Sequence, residues 1–376
     1  MKNNQKIPEG WSVKKLKECL EIKHGKPQHD VEDKNGIYPI LASGGEIGRT
    51  NSFLCNKPSV LIGRKGTIDK PQYMDTPFWT VDTLFYSFIK SGYLAKYIFY
   101  KFETINWNKY NEGSTIPSLS SSTIHSIKVL LPPLAEQEKI AEILGTWDEG
   151  IEKLSSLIEQ KKLLKKGLMQ KLLTGKVRLS TFTQPWKEVK LGAVLEAISR
   201  RNKNLNISRV LSVTNSRGFI LPEEQFSRVV ASENLSNYKV VKNGEFAYNP
   251  SRLNVGSIDR LDNFTDGILS PMYVIFKCNE KLSSNYMKHW ITTTEFNTKV
   301  RNSAQGSVRE TVDFKTLSSI KINLPSDISE QQAIADVLST ADDEINLLNQ
   351  KLEALKEQKK GLMQQLLTGQ VRVKVN

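Results

Sequence analysis

The chain has 376 residues, of which 25% are charged and 39% hydrophobic, and it carries a formal net charge of +13. The length allows two or three domains with ordinary cores, and no apolar run reaches the roughly 20 residues that a membrane-spanning helix needs. Cys19, Cys55 and Cys278 are odd in number and scattered, and the four histidines show no metal-ligand spacing. This pattern argues against a disulfide framework and a metal site. The first residues also lack the apolar segment of a signal peptide, so we expect a cytoplasmic protein.

The excess of positive charge lies in two segments. Residues 1–130 hold 18 basic and 12 acidic side chains, and residues 179–329 hold 20 and 14. The stretches 134–178 and 330–376 are close to neutral, with 9 against 7 and 6 against 7. This distribution favours the interpretation that the two basic segments bind a polyanion. The alternative is that the surplus lysines only keep the protein in solution.

In chain order, residues 1–130 are predicted to form a turn-rich domain of strands and short helices. A short helical patch is expected at 11–20 and a longer helix at 94–102, where apolar residues follow helical spacing. Strands are predicted where β-branched and aromatic residues cluster between turn residues, at 38–41, 59–62, 83–88 and 126–130. Glycine-containing turns are expected at 43–45 and 113–115.

The sequence that follows this domain occurs twice. Residues 131–144 read LPPLAEQEKIAEIL and 324–338 read LPSDISEQQAIADVL, while 167–179 read GLMQKLLTGKVRL and 361–373 read GLMQQLLTGQVRV. Between these ends the copies align without a gap, 194 positions apart, so that Glu136 maps onto Glu330. Apolar residues recur every three or four positions in both copies, except where Lys161, Lys165 and Lys359 take seam positions. This spacing predicts two long helices with a coiled-coil seam.

Local signals place the ends of both helices and the domain boundaries. Ser329 with Gln332 resembles a capping box, and Gly175 and Gly369 are predicted C-terminal caps. The predicted organisation is domain one at 1–130, helix one at 131–179, domain two at 180–325 and helix two at 326–376.

Domain two repeats the plan of domain one with weaker identity. The sequence Gly-Ser-Ile-Asp at 256–259 matches Gly-Thr-Ile-Asp at 66–69, and Gly-Ser at 306–307 matches Gly-Ser at 113–114. A short link near 175–185 requires helix two to run back alongside helix one. We therefore expect an α+β fold in which two α/β domains lie at opposite ends of a long antiparallel two-helix coiled coil with internal pseudo-two-fold symmetry.

This arrangement resembles the specificity (S) subunit of type I restriction-modification systems. The duplicated helix starts and ends carry the resemblance, with weaker support from SGGEIGRT at 43–50 and VLIGRKGTIDKP at 60–71. The resemblance implies two target-recognition domains, each reading one half of a split site in double-stranded DNA, and helices that set the spacing and dock methyltransferase subunits. It further implies two methyltransferase subunits that bind S-adenosylmethionine, a restriction subunit that can join them, and no cofactor or catalytic centre in this chain.

Side chains that match base edges and phosphates are the candidate DNA contacts, because arginine, lysine, asparagine and hydroxyl groups offer complementary hydrogen bonds. In domain one they are Arg49, Arg64, Lys65, Thr67, Lys70, Lys109 and Ser114, with Trp107 as a possible base-stacking residue. In domain two they are Arg217, Tyr248, Asn249, Arg252, Asn254, Arg260, Arg301, Ser307 and Arg309.

Enzyme signatures are weak. The tetrapeptide Asn-Pro-Ser-Arg at 249–252 lacks the second proline and the aromatic residue of the amino-methyltransferase motif, and the segment 63–67 is too short for a P-loop. We therefore expect a chain without catalytic activity of its own. Two alternatives stay open at this point: a stand-alone DNA-binding or architectural protein, and a coiled-coil scaffold without DNA specificity.

Overall fold

The computed structural model describes residues 7–224, 234–304 and 311–375. The chain forms two compact units: unit one comprises Met1–Ser156 with Gln350–Asn376, and unit two comprises Leu157–Asn349. Each unit therefore includes one basic domain and a part of each long helix. Among the residues described, no helix has the length and apolar character needed to cross a membrane.

Short strands and helices alternate up to the first long helix. The strands are β1 (Ser12–Lys15), β2 (Leu20–His24), β3 (Tyr38–Ala42), β4 (Gly45–Thr50), β5 (Ser59–Gly63), β6 (Gln72–Met74), β7 (Trp79–Thr80), β8 (Leu84–Ile89) and β9 (Lys128–Leu131). The helices are α1 (Leu16–Cys19), α2 (Ala95–Thr104), α3 (Ser121–Ser126) and α4 (Leu134–Leu172), with a 3-10 helix at Trp107–Tyr110. The strands predicted at 38–41, 59–62 and 83–88 and the helix predicted at 94–102 are confirmed.

The second half of the chain has a similar series. Its strands are β10 (Trp186–Lys190), β11 (Leu195–Ile198), β12 (Ser212–Thr214), β13 (Gly218–Ile220), β14 (Lys239–Lys242), β15 (Phe246–Tyr248), β16 (Ile258–Arg260), β17 (Asp266–Leu269), β18 (Val274–Cys278) and β19 (Lys321–Pro325). Its helices are α5 (Ser284–Trp290), α6 (Thr294–Ala304), α7 (Phe314–Ser319) and α8 (Ile328–Thr368), with 3-10 helices at Leu191–Ala193, Pro222–Glu224 and Pro250–Val255.

A four-stranded antiparallel sheet forms the centre of the domain in unit one, in the order β2-β8-β5-β6. Strand β5 is buried along its whole length, because it lies inside the sheet and α2 packs against it. A second sheet has the order β4-β3-β7, and β1 pairs with β9. The β1–β9 pair brings the start of the domain beside the residues that lead into α4.

The domain of unit two has the same plan. Its four-stranded sheet has the order β11-β18-β15-β16, which corresponds to β2-β8-β5-β6, and β10 pairs with β19 as β1 pairs with β9. The hairpin β12–β13 corresponds to the hairpin β3–β4. The pair β14–β17 has no counterpart among the strands described in unit one. The duplication predicted from sequence is therefore confirmed at the level of sheet order.

In both units the core of the domain continues into the long helices. In unit one, Ile140 and Leu144 of α4 and Leu366 of α8 belong to one buried cluster with the domain's own apolar residues. In unit two, Leu172 of α4 and Leu338 of α8 are part of the equivalent cluster. Each domain is thus packed firmly on the helices, so its orientation relative to its own helix segments is fixed by buried apolar contacts.

Ion pairs show that the two helix segments within each unit are antiparallel. In unit one, Lys359 pairs with Asp148 while Arg372, just beyond α8, binds Glu136 at 2.7 Å. In unit two, Lys161 binds Glu344 at 2.6 Å and Lys165 pairs with Asp342. In both cases one residue number rises as its partner's falls, which confirms the predicted antiparallel order within each unit.

A buried carboxylate ties each domain to the start of a long helix. The indole nitrogen of Trp11 donates to Glu136 at 2.9 Å, and that of Trp186 donates to Glu330 at 3.2 Å. Glu330, which is fully buried, also receives two hydrogen bonds from the guanidinium of Arg178. Since Glu136 and Glu330 occupy matched positions of the repeat, both units share this contact.

The C-terminal ends of both long helices agree with the sequence prediction, whereas the N-terminal cap of α8 differs from it. Gly175 and Gly369 have φ values of +71° and +72° and lie just beyond the helices, so both predicted C-terminal caps are confirmed. The predicted capping box of Ser329 and Gln332 is wrong, because α8 begins one residue earlier and Asp327 accepts a hydrogen bond from the Ser329 amide at 2.9 Å. Aspartate is equally suited to this capping role.

The helical patch expected at 11–20 is largely wrong. Residues Ser12–Lys15 form β1, Leu16–Cys19 form a single helical turn, and Leu20–His24 form β2. The buried positions Leu16 and Leu20 do follow helical spacing, but pairing of β1 with β9 and of β2 with β8 satisfies the backbone of the flanking residues instead.

Candidate nucleic-acid interface

Three turns of the domain in unit one come together, and we call them turn cluster one: the tip of the β3–β4 hairpin at 43–44, the loop 64–67 after β5, and the loop 113–118. The amide of Gly66 donates to Pro117 O at 2.9 Å, and the amide of Leu119 donates to Arg64 O at 2.9 Å. A Cβ atom at Gly66 would lie 3.3 Å from the Ser43 hydroxyl, so the hairpin tip is in contact with the same loop. The segments 43–50 and 60–71, which give the weaker support for the family resemblance, thus meet in space.

The loop 113–118 is held in shape by side-chain hydrogen bonds at its base. Asn111 Oδ1 accepts hydrogen bonds from the amides of Gly113 at 2.9 Å and Ser118 at 2.8 Å. The Thr123 hydroxyl donates to the Glu112 carboxylate, as does that of Ser120, and these bonds hold the pKa of Glu112 below its usual range. Because its base is fixed, the loop presents its tip to solvent with little conformational freedom left to lose on binding.

The structure brings four of the domain-one candidates into turn cluster one. Lys65 and Ser114 are exposed, and Arg64 and Thr67 are half-buried. Arg64 donates to Asp82 O at 3.1 Å, which orients its guanidinium along the loop. The other exposed candidates are Lys70, further along the loop after β5, Arg49 on β4, which pairs with Glu46 at 2.8 Å, and Lys109 in the 3-10 helix Trp107–Tyr110.

The prediction that Trp107 stacks on a base is wrong. Its side chain is 1% exposed, its indole nitrogen donates to Phe102 O at 2.9 Å, and its ring centroid lies 4.9 Å from that of Phe102. A base cannot reach a ring that is enclosed by the protein core on all sides. Trp107 therefore stabilises the domain and does not contact DNA.

The domain of unit two has an equivalent turn cluster two. It comprises the tip of the β12–β13 hairpin at 215–217, the 3-10 helix Pro250–Val255, and the turn at 256–257. A Cβ atom at Gly256 would lie 3.7 Å from the Asn215 Cβ, and the Ser257 hydroxyl donates to Val213 O at 2.6 Å. Gly256 has a φ of +89° and the matched Gly66 a φ of +86°, so both positions use the left-handed backbone conformation that favours glycine.

A pocket of about 400 Å³ opens beside this second cluster. Its lining includes Thr214, Asn249, Arg252, Val255 and Met272. Asn249 Oδ1 accepts from the Ser251 amide at 3.1 Å and so caps the 3-10 helix, while its amide nitrogen donates to Met272 Sδ at 3.9 Å. The Arg252 side chain is exposed and, among the residues described, makes no ion pair or hydrogen bond, so its guanidinium is available to a ligand.

Other domain-two candidates are placed differently. Arg217 is exposed at the hairpin tip, Asn254 is half-buried in the 3-10 helix, and Arg301 is exposed on α6. Ser307 and Arg309 lie outside the described residues.

Two candidates in domain two are corrected by the structure. Tyr248 is fully buried, and burial raises the pKa of its hydroxyl, so it is a core residue. Arg260 donates to Asp262 at 2.7 Å and to Asn285 Oδ1 at 2.7 Å, and its side chain is 14% exposed. The guanidinium nitrogens of Arg260 are used to link β16 to α5 and to Asp262, so they are not available to DNA.

Sequence reasoning missed several exposed residues of the two clusters. Ile47 and Ile116 accompany turn cluster one, and Val255 and Met272 line the pocket of turn cluster two, each more than half exposed. Apolar residues are ordinarily assigned to the core, so their type gave no signal. Their position in or beside turns that contain glycine or proline was the feature that could have marked them.

Replacing Arg252 with alanine is expected to weaken DNA binding by about 1–3 kcal/mol, because a free guanidinium in the pocket can bind a guanine edge or a phosphate. A guanine contact would relax specificity at one position, whereas a phosphate contact would weaken all sequences alike and flatten the salt dependence. Arg64→Ala is expected to behave similarly in the other domain. Titration of labelled duplexes at several salt concentrations measures both effects. Lys277→Ala removes an equal charge from β18, where it pairs with Glu196, and should leave affinity nearly unchanged.

Two related domains, each carrying a turn cluster with basic and amide side chains and each packed on long helices, define a DNA-recognition protein with duplicated halves. The family model described as the type I restriction modification DNA specificity domain matches residues 8–161 and 270–357. The chain belongs to this family, and it is a DNA specificity subunit of the type I restriction-modification class. The two alternatives left open by the sequence are thereby set aside.

Relatives of known class match almost the whole chain. The type I restriction enzyme MjaVIII specificity subunit of Methanocaldococcus jannaschii is 26% identical over 424 residues, covering 98% of this chain and 95% of the relative. The putative type I restriction enzyme MjaX specificity subunit of the same organism is 26% identical over 417 residues with the same coverage. The type I restriction-modification system S subunit of M. genitalium has a similar fold, with a TM-score of 0.67 at 16% identity over 98% of both chains.

Proposed function

We propose that each domain reads one half of a split DNA site and that α4 and α8 set the distance between the two halves. The observation that carries this proposal is the duplication of the turn cluster: Gly66 and Gly256 both have a positive φ, and each lies beside a hairpin tip of its own unit. The side chains around these turns differ, with the exposed Lys65 and Ser114 in one cluster and the exposed Arg252 and half-buried Asn249 in the other. A common framework with different side chains fits two half-sites of different sequence.

The proposed partners are double-stranded DNA, two methyltransferase subunits that bind S-adenosylmethionine, and a restriction subunit that can join them. The relatives are named as specificity subunits of type I restriction enzymes, which supports an assembly of this kind. The long helices expose Leu163, Leu164 and Leu347, with 68%, 57% and 66% of their surface accessible. Exposed leucines on helices are typical of surfaces that a protein partner covers.

We further propose that the chain recognises DNA without catalysing a reaction. In the one segment that partly matches a methyltransferase motif, Asn249 uses its side-chain oxygen to cap the 3-10 helix. That bond gives this asparagine a structural role, which supports the proposal that the segment 249–252 does not take part in catalysis. Methyl transfer from S-adenosylmethionine to DNA by the purified chain alone would contradict this part of the proposal.

Exchanging residues 1–130 for the matching domain of a relative with a different target is expected to change one half-site and leave the other intact. The reason is that each domain has its own core and its own turn cluster within its unit. Selection of preferred duplexes from random DNA, with the chain in complex with its methyltransferase, measures the outcome. The reciprocal exchange of 180–325 is the control, and it should change only the other half. A simultaneous change in both halves after either exchange would refute independent reading.

A further inference from the structure

Two apolar side chains stand beside the free guanidinium of turn cluster two. In residues 180–325, the described large hydrophobic side chains that are most exposed are Leu205, Val255 and Met272, at 59%, 58% and 60%. Val255 and Met272 line the same pocket as Arg252 and Asn249, whereas Leu205 does not. A ligand that entered this pocket would cover the two apolar side chains and remove their surface from water.

The backbone that carries Met272 is firmly held. Met272 follows β17 and Pro271, and the Tyr273 amide closes a turn by donating to Ser270 O at 3.0 Å. On the other side, Tyr273 is 7% exposed and its carbonyl accepts from Lys239 Nζ at 2.6 Å. The thioether is therefore presented from a fixed backbone, while its own flexible bonds let it adapt to the shape of a ligand.

The chemistry of the pocket rim fits one base in particular. The guanidinium of Arg252 offers donors, and Met272 with Val255 offers an apolar surface. The Asn249 amide nitrogen donates to Met272 Sδ at 3.9 Å and so holds the thioether beside the 3-10 helix. In the major groove thymine alone presents a methyl group, and it does so beside the O4 acceptor. Donors next to an apolar contact therefore match a thymine edge better than the edge of a cytosine, which presents a donor.

We propose that Met272, supported by Val255, contacts the C5-methyl group of a thymine in the half-site read by unit two. This inference rests on the proposed function, since it specifies one contact within the half-site assigned to that domain. Met272 and Val255 thereby determine specificity by apolar contact, and Arg252 binds the adjoining base edge or phosphate.

The test replaces single thymines by deoxyuridine, which removes only the methyl group. The preferred site of the full chain with its methyltransferase is first selected from random duplexes, and the half read by unit two is the one that changes when 180–325 is exchanged. Each thymine of that half is then replaced in turn, and affinities are measured for the wild type, Met272→Ala, Val255→Ala, Met272→Leu and Leu205→Ala. Thermal unfolding confirms that each variant is folded.

At one position, uridine is expected to weaken wild-type binding about fourfold, as burial of one methyl-sized group implies. Met272→Ala should bind the thymine and uridine duplexes equally, Val255→Ala should show a reduced difference, and Met272→Leu and Leu205→Ala should keep the wild-type difference. A half-site without thymine, a wild type indifferent to uridine, or a Met272→Ala variant that keeps the full difference would each overturn the inference while leaving half-site reading intact. A selection that yields no preferred sequence would instead refute the proposed function together with this contact.

Discussion

Trp107→Ala is expected to lower the free energy of unfolding of unit one by about 3–5 kcal/mol, the usual cost of removing a large aromatic side chain from a core. The indole is 1% exposed and belongs to the same buried cluster as Ile140 of α4 and Leu366 of α8. Its loss leaves a cavity, and Phe102 O loses its hydrogen-bond donor. Urea denaturation of the full chain, followed by circular dichroism, measures the change.

Lys109 provides the matched control, because it lies two residues away in the same 3-10 helix and is exposed. Lys109→Ala should leave the unfolding transition of the protein unchanged and should only affect DNA affinity. Trp107→Phe should recover part of the stability, since a smaller aromatic ring fills part of the space. A Trp107→Ala protein as stable as the wild type, but weakened in DNA binding, would restore the base-stacking interpretation that the structure overturns.

The case of Trp107 shows what a single sequence can determine in this fold. The two long helices and their C-terminal caps were predictable, because apolar spacing, the position of glycine and the repeat at 194 positions can all be read directly from the sequence. The burial of Trp107 and Tyr248 was not, since an aromatic ring beside basic residues suits both a core and a DNA contact. The fold decides between a core residue and a DNA contact, because Trp107 packs against Phe102 of α2 and Tyr248 lies on the buried strand β15.

The same limit applies to the turn clusters. The sequence correctly singled out the loops around Gly66 and Gly256 as a matched pair, since the similar motifs Gly-Thr-Ile-Asp and Gly-Ser-Ile-Asp occur there. It could not show that the hairpin tips at 43–44 and 215–217 meet these loops, because such contacts depend on the order of strands in each sheet. Met272 was missed for the same reason: it lies far along the chain from the 3-10 helix beside which it is placed.

Lengthening both long helices by four residues is expected to widen the gap between the two half-sites by about one or two base pairs. The matched insertion points are between Ser156 and Leu157 in α4 and between Gln350 and Lys351 in α8, which are 194 positions apart and exposed. Four helical residues add about 6 Å of length. DNA advances about 34–36 Å in a turn of 10–10.5 base pairs, so this length corresponds to nearly two base pairs.

The rotation that the insertion adds to the helices is compatible with the rotation of the DNA over the added base pairs. Four residues exceed one helical turn by about 40°, and such an insertion unwinds a coiled coil locally without destroying its seam. Two base pairs rotate the duplex by roughly 70°, so the remaining mismatch is about 30°. Because each domain is packed on its own helix segments, the DNA between the half-sites must take up this difference by a small change of twist.

Selection of preferred duplexes from random DNA by the lengthened chain, in complex with its methyltransferase, measures the gap directly. The half-site sequences should stay the same, because the insertions touch neither turn cluster. Four residues inserted between Thr183 and Gln184 form the control, since they lengthen the link but neither helix, and the gap should then remain at its wild-type value. If the variant with longer helices keeps the original gap at full affinity, the helices do not set the spacing. If the link insertion alone widens the gap, the spacing is set by the link and not by the helices.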